Sequence, residues 1–235
     1  IGNGYAIKNM KTTNGLLKSC SGTCTVTSLA LYNMTVIDPD VENGEAFGAY
    51  IGEVKPGANV TIVSSIADSV ISVDGNKKCY VGGIVGKCND DAVLNIKKSA
   101  SLCDIYENIT ESNVKYNISN TTVSYIGGLV GYHGNGSVTG SYSSGYIKNT
   151  HRYHYIGGLV GFSKNASYTN GYTSLCITNA FTGSVKSIGS FLEPSNLGNN
   201  VYYDKTVSLQ RQESYLNDTH GFDPKSADYT AMFDN

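Results

Sequence analysis

Residues 125–147 read YIGGLVGYHGNGSVTGSYSSGYI, and residues 155–177 repeat the pattern as YIGGLVGFSKNASYTNGYTSLCI. The two copies align without a gap, and their identities extend beyond glycine and tyrosine to polar positions such as Asn135 and Asn165. Similar segments at a fixed spacing are the signature of repeat proteins, in which each copy is one unit of a stack. We therefore predict an architecture of stacked units.

Weaker copies lie on both sides of this pair. YVGGIVG (80–86), AFGAYIG (46–52) and the degenerate TNGLLKS (13–19) precede it, and SIGSFLE (187–193) follows it. The residues in the first glycine column are separated by 34, 34, 45, 30 and 32 residues, so the period is near 32 with one enlarged unit. These column residues are Asn14, Gly48, Gly82, Gly127, Gly157 and Gly189.

The residue types in the columns favour strands over helices. Each unit places small residues, mostly glycine, beside β-branched or other aliphatic residues, and both glycine and β-branched residues weaken helices. Short β-rich segments such as VTIVSSI (60–66) follow the glycines and are separated by Asn, Gly, Ser and Asp turns. We predict an all-β fold, a β-solenoid of about six coils over residues 1–200, closed by residues 201–235.

A second column holds only small residues, which a stack of coils explains. A larger side chain at this column would collide with its own copy in the next coil at a tight corner. Apolar residues occupy both parities around the glycines, so the sequence leaves open which side of the strand faces the core. The column contains Gly15, Ala49, Gly83, Gly128, Gly158 and Ser190.

The copies at 80–86, 125–131 and 155–161 resemble the GLUG repeat, which is named for this glycine–aliphatic–glycine signature. GLUG repeats are found in bacterial surface proteins, including regions beside the metallopeptidase domain of immunoglobulin A1 proteases. The opening GNGYAIKNM (2–10) and the end NNVYYDKTVSLQ (199–210) are similar to the usual start and close of such arrays. The resemblance implies a right-handed parallel β-helix in an exported surface protein.

Six cysteines form an even set with no CxxC pair and no zinc-like spacing to histidine. Disulfides in an oxidising compartment are favoured, and buried free thiols are the alternative. Cys20–Cys24 is the most plausible single bridge, because a short turn brings the two Cα atoms together. The disulfide candidates are Cys20, Cys24, Cys79, Cys88, Cys103 and Cys176.

Eight N-x-[ST] sequons point to the same compartment. Three of them lie in residues 106–124, the extra length of the enlarged unit, which must project from the stack or lie on it as an added strand. We predict a glycoprotein that is extracellular or located at the cell surface. The predicted glycosylation sites are Asn33, Asn59, Asn108, Asn117, Asn120, Asn135, Asn165 and Asn217.

Charge and hydropathy argue against nucleic-acid and membrane partners. The net charge is −2 and only 15% of the residues are charged, so the chain lacks the basic patch of a nucleic-acid-binding protein. No apolar run approaches the ~18 residues that a membrane span needs. We predict no nucleic-acid partner and no membrane insertion by this segment.

Catalytic and metal-binding patterns are weak. The zinc peptidase motif HExxH is absent, and HRYH (151–154) is better explained as a polar loop than as a metal pair. The acidic stretch DPDVENGE (38–45) resembles the start of a calcium loop, but its glycine is one place late and the final glutamate is missing. We predict no metal and no cofactor.

A carbohydrate-active β-helix enzyme would need carboxylates clustered on adjacent coils. Asp90 and Asp91 are adjacent, but counting along the repeat from the glycine column places no carboxylate at the same positions in the next two units. We therefore predict that the protein is not an enzyme. The residues counted as their counterparts are Asn135 and Gly136, then Asn165 and Ala166.

These observations predict a non-catalytic extracellular module, structural or adhesive, in the form of a rigid rod. Its expected partners are further copies joined end to end, or neighbouring repeat domains, together with covalent glycans. The alternative is a carbohydrate-active β-helix enzyme of the lyase or hydrolase type. Because the chain begins at Ile1 rather than at methionine, we expect a processed product or an excised piece.

Overall fold

The structure is a computed structural model that describes residues 1–74, 77–108, 123–149, 154–179, 187–189, 199–204 and 221–222. These residues form strands joined by turns and bends, with no helix among them, which confirms the predicted all-β fold. The strands are β1 (Ala6–Lys8), β2 (Lys11–Thr12), β3 (Leu17–Cys20), β4 (Thr23–Thr27), β5 (Ala30–Asp38), β6 (Glu45–Gly48), β7 (Ile51–Val54), β8 (Asn59–Val63), β9 (Ile66–Asp74), β10 (Cys79–Gly82), β11 (Val85–Cys88), β12 (Val93–Lys97), β13 (Ala100–Asn108), β14 (Ser124–Gly127), β15 (Val130–Thr139), β16 (Tyr142–Asn149), β17 (His154–Gly157), β18 (Val160–Asn179), β19 (Ser187–Gly189), β20 (Asn199–Asp204) and β21 (Gly221–Phe222).

The strands stack in parallel from coil to coil and form a β-solenoid. One sheet contains the five short strands that precede the glycine bend, in the order β19-β17-β14-β10-β6. Within it, like positions of successive coils are direct partners. The columns predicted from the sequence are therefore confirmed. The paired glycine-column residues are Gly48, Gly82, Gly127, Gly157 and Gly189.

The other strands form a 16-stranded sheet that covers the remaining sides of each coil. A complete coil has four strand segments, for example β6, β7, β8 and β9 in chain order. We number the coils from the incomplete one that contains β3, β4 and β5, so that the second, third, fourth and fifth coils begin at β6, β10, β14 and β17. In the later coils β15 and β18 run through the turn between the second and third segments, and β18 also continues into the fourth. The strand β20 pairs with β18 and with β21 at the C-terminal end.

The structure contains about four turns where the sequence predicted six coils. Five strands in the glycine-bend sheet enclose four turns. The difference arises first at the N-terminal end. The repeat pattern predicts that Asn14 is the first member of the glycine column, but residues 13–16 form no strand, and the first strand of this unit to pair with the next coil is β3. At the other end the last unit contributes β19, and residues 190–198 lie outside the described part of the chain.

The glycine pair changes the direction of the chain and thereby brings side chains of both parities into the core. Ile126 before the pair, and Leu129 and Val130 after it, are all fully buried. A straight strand would place Leu129 and Val130 on opposite faces. The bend resets the alternation, which is why residue parity alone did not reveal the inward face.

The second glycine of the pair has no space for a side chain, because the next coil lies against it. A Cβ atom at Gly128 would lie 1.9 Å from the carbonyl oxygen of Gly158, and one at Gly83 would lie 2.2 Å from that of Gly128. Real Cβ atoms do not approach backbone oxygens so closely. The predicted collision between copies in successive coils is confirmed at these positions.

A second corner repeats between the third and fourth strand segments, and the sequence analysis did not identify it. A residue with positive φ turns the chain there in each coil, and in three coils a buried serine follows it. Each serine hydroxyl donates to the carbonyl oxygen two residues earlier, and Ser99 and Ser141 also accept a hydrogen bond from the backbone of the preceding coil's serine. The positive-φ residues are Ser28, Ser64, Lys98, Gly140 and Asn170, and the serines are Ser65, Ser99 and Ser141.

The core is mainly aliphatic, and near its N-terminal end it includes the polar hydroxyl of Tyr50. Tyr50 is fully buried, and its hydroxyl oxygen lies 2.6 Å from the carbonyl oxygen of Leu29 and 2.8 Å from that of Ile66. Burial raises the pKa of this hydroxyl. Buried polar groups are tolerated when they have hydrogen-bond partners, so Tyr50 fits a position where the next two coils carry Ile84 and Leu129.

We predict that Gly128→Ala lowers the free energy of unfolding by about 1–3 kcal/mol, because the new methyl group must displace the backbone of the next coil. Gly171→Ala is the matched control, since its Cβ would meet only side-chain atoms, at 3.0 Å or more. Urea denaturation followed by circular dichroism measures both variants. An equal loss in the two variants would contradict the collision at Gly128.

Candidate functional sites

The outward side of the glycine bend is a concave corner occupied by aromatic rings. Tyr80, Tyr125 and Tyr155 form a column with ring centroids 5.2 and 5.1 Å apart and rings within 6° of parallel. Tyr132 and Phe162, from strands after the bend, stack at 5.2 Å and meet the first column edge to face. We call these five rings the aromatic corner. Both geometries are favourable for aromatic pairs, so the corner ties successive coils together.

Charged side chains close the aromatic corner at its N-terminal end. The Lys87 ammonium lies 5.0 Å from the centroid of the Tyr80 ring and 3.5 Å from a carboxylate oxygen of Glu53. Glu53 also pairs with Lys55 and accepts a hydrogen bond from Asn89 at 2.8 Å. Partial burial raises the pKa of Glu53, but the hydrogen bonds from Lys55 and Asn89 and the charge of Lys87 outweigh it and hold this pKa below its ordinary value.

A cleft of about 280 Å³ continues the same corner toward the N-terminus. Ala46 takes the position that Tyr80 holds in the next coil, and Ser19 takes the position of Glu53. Because these side chains are small, they leave the corner unfilled. The ammonium of Lys18 and the carboxylate of Glu45, both of which line the cleft, form an ion pair at 3.5 Å.

Asp90 connects three coils at the turn that follows β11. Its carboxylate accepts a hydrogen bond from the hydroxyl of Tyr132 at 2.7 Å and pairs with the ammonium of Lys164. The hydrogen bonds from Lys164 and Tyr132 hold the pKa of Asp90 below its ordinary value. Asp90 is therefore an ionised surface group that links neighbouring coils.

The structure corrects the counterparts that were assigned to Asp90 and Asp91. Gly136 pairs with Leu94, not with Asp91, and Asn135 accordingly lies level with Val93. Residues 89–92 form a turn in the third coil that the fourth coil lacks. Counting from the glycine column across this turn therefore gave the wrong alignment, both here and for Asn165 and Ala166, which pair with Asn135 and Gly136.

The acidic stretch 38–45 connects β5 to β6 and is held by local hydrogen bonds. Asp38 accepts one from the backbone nitrogen of Asp40, and Glu45 accepts one from that of Glu42, each at 2.9 Å. Among the described residues no group of three His, Cys, Asp or Glu side chains is placed to hold a metal ion. The part of the chain that the structure describes also contains no helix able to cross a membrane.

His133 is a fully buried histidine that sequence analysis did not single out. Its Nε2 lies 3.1 Å from the carbonyl oxygen of Leu94, and its Nδ1 lies 3.1 Å from the hydroxyl of Tyr168. Burial lowers the pKa of the ring to about 4, so at pH 7 a neutral ring donates to Leu94 and accepts from Tyr168. Residues 151–153 of the HRYH stretch lie outside the described residues, as does His220.

Glu107 is a fully buried carboxyl group at the base of the enlarged unit. The thiol of Cys79 lies 3.5 Å from its Oε1 atom and 3.4 Å from the hydroxyl of Ser124. Burial raises the pKa of Glu107 to about 8, so the carboxyl is largely protonated at neutral pH. Alternation along β13, which places Glu107 on the same side as Cys103 and Ile105, is a sequence signal that could have revealed it.

The cysteines form one disulfide in the structure. Cys20 and Cys24 are bonded, with Cα atoms 6.6 Å apart, which confirms the bridge that the short turn indicated. The other four candidates are separate thiols, of which three are buried. They lie in four different columns of the solenoid and therefore do not come together. The free thiols are Cys79, Cys88, Cys103 and Cys176.

The described sequon asparagines lie at the surface or partly so. Asn33 is exposed and donates a hydrogen bond to the side chain of Asn9 at 2.7 Å. Asn59 and Asn165 are exposed, and Asn135 is half-buried. The backbone of Asn108 ends β13, whereas Asn117, Asn120 and Asn217 lie outside the described residues.

Three of these asparagines share one line along the solenoid, at the start of the third strand segment. Asn135 pairs directly with Asn165, as the repeat predicted. Asn59 pairs with Val93, which lies level with Asn135 in the adjacent coil. Glycans at these three sites would therefore project from a single edge.

The geometry defines a class of protein, a parallel β-solenoid built on glycine-pair bends. Residues 122–149 match the model of the family described as the GLUG motif, and the resemblance found in the sequence is thereby confirmed. A segment of 100 residues is 33% identical to Halomucin from Haloquadratum walsbyi; it covers 43% of this chain and 1% of Halomucin. No solved structure matches the chain.

We predict that alkylation of the folded, unreduced protein modifies one thiol, that of Cys176. The other three free thiols are fully buried, whereas Cys176 is half-buried. Burial raises the pKa of all four thiols, so access of the reagent selects Cys176. Unfolding without a reductant should expose four thiols, and reduction should release six. Intact-mass spectrometry counts the labels; fewer than four after unfolding would reveal a second disulfide.

We predict that Glu107→Gln removes the loss of stability that the buried carboxyl causes between about pH 4.5 and about pH 8. Glu107 titrates near its ordinary value of 4.5 when unfolded and at about 8 when folded. Its stabilising contribution is therefore complete below about pH 4.5 and falls by roughly 1.4 kcal/mol per pH unit until about pH 8.

Urea denaturation between pH 5 and 9 tests this prediction. The difference in unfolding free energy between Glu107→Gln and the natural chain should shift steadily in favour of the variant across the window. Taking this difference cancels the opposite contribution of His133, whose stabilisation is lost as the pH falls from about 6.5 to about 4. Glu42→Gln, at an exposed site, is the control; a difference for Glu107→Gln that does not change with pH would show that the carboxyl is ionised in the folded state.

Proposed function

We propose that this protein is a non-catalytic extracellular module, structural or adhesive, that forms a rigid rod at a cell surface. The observation that carries the proposal is the in-register stacking of the GLUG-type coils, because it yields a stiff element whose length grows with the number of coils. The match of residues 122–149 to the GLUG motif supports a surface location, because GLUG repeats are found in surface proteins. The chain spans about one hundredth of the Halomucin relative that it matches, so the activity of a whole protein is not transferred.

Two acidic side chains at the surface are held by ion pairs and hydrogen bonds, which supports the non-catalytic part of the proposal. Asp90 is held by Lys164 and Tyr132, and Glu53 is held by Lys55 and Lys87. Each carboxylate therefore has a structural partner and a lowered pKa, whereas a general acid needs a raised one. Glu107 has a raised pKa, but it is buried in the solenoid, where a polysaccharide does not reach it.

The N-terminal end of the solenoid supports association with another coil. Apolar side chains at this end, among them Ile7, Met10 and Val26, are only partly buried although they pack on the core. Three large apolar residues at the same end, Ile1, Tyr5 and Leu17, are exposed. Open strand edges beside apolar side chains accept another parallel coil. We expect the occupant to be a further coil, from a second copy or from a neighbouring repeat.

Association is measured by analytical ultracentrifugation of the full chain over a range of concentrations. Leu17→Glu should weaken self-association at least tenfold, since a buried carboxylate opposes stacking. Val70→Glu is a matched control, because Val70 is equally exposed, at 40%, but lies on the outer face of β9. A strictly monomeric protein, or equal effects of the two substitutions, would contradict end-to-end association.

The location and the glycans are tested on protein from its native source. Labelling of intact cells with a membrane-impermeant reagent should modify the protein, and glycopeptide mass spectrometry should find glycans at Asn59, Asn135 or Asn165. Unlabelled protein with all three sites unmodified would contradict the surface glycoprotein. Degradation of a polysaccharide by the pure protein would favour the enzyme alternative.

A further inference from the structure

The cleft at the N-terminal end of the aromatic corner is a consequence of a change in residue type within two columns. In the third, fourth and fifth coils the column before the bend carries tyrosine, and it carries Ala46 in the second coil. The column after the bend carries Tyr132 and Phe162 in the later coils, and Ser19 in the first. The corner is thus packed with rings over most of the rod and open at one end.

The open end is lined by polar groups that suit a ligand rich in hydroxyls. The side-chain amide nitrogen of Asn14 is buried and has no hydrogen-bond partner among the described residues, while its oxygen accepts from Thr13 at 3.0 Å. Asn43 and Ser19 add an amide and a hydroxyl to the lining. An amide hydrogen without a partner costs stability unless a ligand oxygen or water accepts from it.

The charges of the cleft compensate one another. Lys18 pairs with Glu45, and Lys55 pairs with Glu53, which also pairs with Lys87, a residue outside the cleft lining. Glu42 is exposed within the loop that lines the cleft. Two ammonium groups and three carboxylates therefore line the cleft, and Lys87, which pairs with Glu53 from outside the lining, balances the remaining negative charge. A cation or an anion would gain no net attraction here, whereas ion-paired side chains can still accept from and donate to hydroxyl groups.

We propose that this cleft binds a neutral saccharide. Its volume of about 280 Å³ lies near the lower limit of small-molecule sites, ~300–1,000 Å³, and suits roughly one or two sugar rings. The lining offers carboxylates, ammonium groups and amides to hydroxyl groups, and its scarcity of apolar side chains disfavours lipids and aromatic ligands. The site goes beyond the proposed rod, because a structural rod needs no ligand.

Binding is tested by NMR titration of the full chain with the methyl glycosides of glucose, galactose, mannose and N-acetylglucosamine. At least one should shift the signals of the Asn14 and Asn43 side-chain amides, with a dissociation constant of ~1–10 mM, as expected for a small cleft without an aromatic platform. Galacturonic acid and glucosamine serve as charged probes. Shifts caused only by a charged probe, or no shifts at 50 mM (about five times the weakest expected constant), would overturn the proposal.

Ala46→Tyr is the decisive variant, since it places in the second coil the residue that the next three coils carry and so fills the cleft. It should weaken saccharide binding at least tenfold while the protein stays folded. Leu102→Tyr adds the same ring on the outer face of β13, where Leu102 is exposed, and should leave binding unchanged. Asn14→Ala, which removes the amide, should weaken binding even if Ala46→Tyr does not fold.

Unchanged binding in Asn14→Ala, or in a folded Ala46→Tyr, would place the saccharide elsewhere and overturn the assignment. The result is independent of the proposed function. A chain that associates end to end but binds no sugar would contradict only the saccharide site. A sugar-binding chain that stays monomeric and is absent from the cell surface would contradict only the proposed rod.

Discussion

The register between coils is the constraint on which the rest of this structure depends. Each coil is bonded to the next by parallel backbone ladders in which like positions are partners, as Gly82 is with Gly127 and Gly127 with Gly157. Side chains alternate along a strand, so a slip by one residue would carry a core column to the surface. Each core column must therefore keep residues that can be buried. The repeated signature follows from this register and does not require a chemical role for the repeated residues.

Register also explains where the chain is free to vary. The third coil has a turn at residues 89–92 that the fourth lacks, yet Leu94 and Gly136 are partners immediately afterwards. The enlarged unit behaves in the same way, because pairing resumes at β14 after the 14 residues between β13 and residue 123 that lie outside the description. The entropic cost of closing a loop rises slowly with its length. Insertions at corners therefore reduce the stability of the fold only slightly, whereas changes within a backbone ladder reduce it strongly.

Polar groups inside and outside the solenoid follow a common rule of neutrality. Glu107 and His133 are both uncharged at pH 7, because burial moves the pKa of the acid up and that of the base down. At the surface the same balance is reached by pairing, as between Lys87 and Glu53 beside the aromatic corner.

The sequence by itself determined the all-β class, the period, the columns around the glycine pair and the Cys20–Cys24 bridge. These features depend on local geometry or on identity between copies, and both can be seen along the chain. The second corner escaped notice because its turning residues are as different as Lys98 and Asn170. The backbone nitrogen of a turning residue such as Lys98 donates to a carbonyl of the next coil, which places little demand on its own side chain. The serine that follows it recurs in only three coils.

Only the tertiary structure decided which thiols stay apart and where the aromatic corner ends in a cleft. Each of these depends on residues one coil apart, such as Ala46 beside Tyr80, or on both arms of the bend meeting across its concave side. The direction of a side chain after the glycine pair cannot be obtained by alternation, since the bend resets it. Contacts across the bend therefore appear only when the coil is closed in three dimensions.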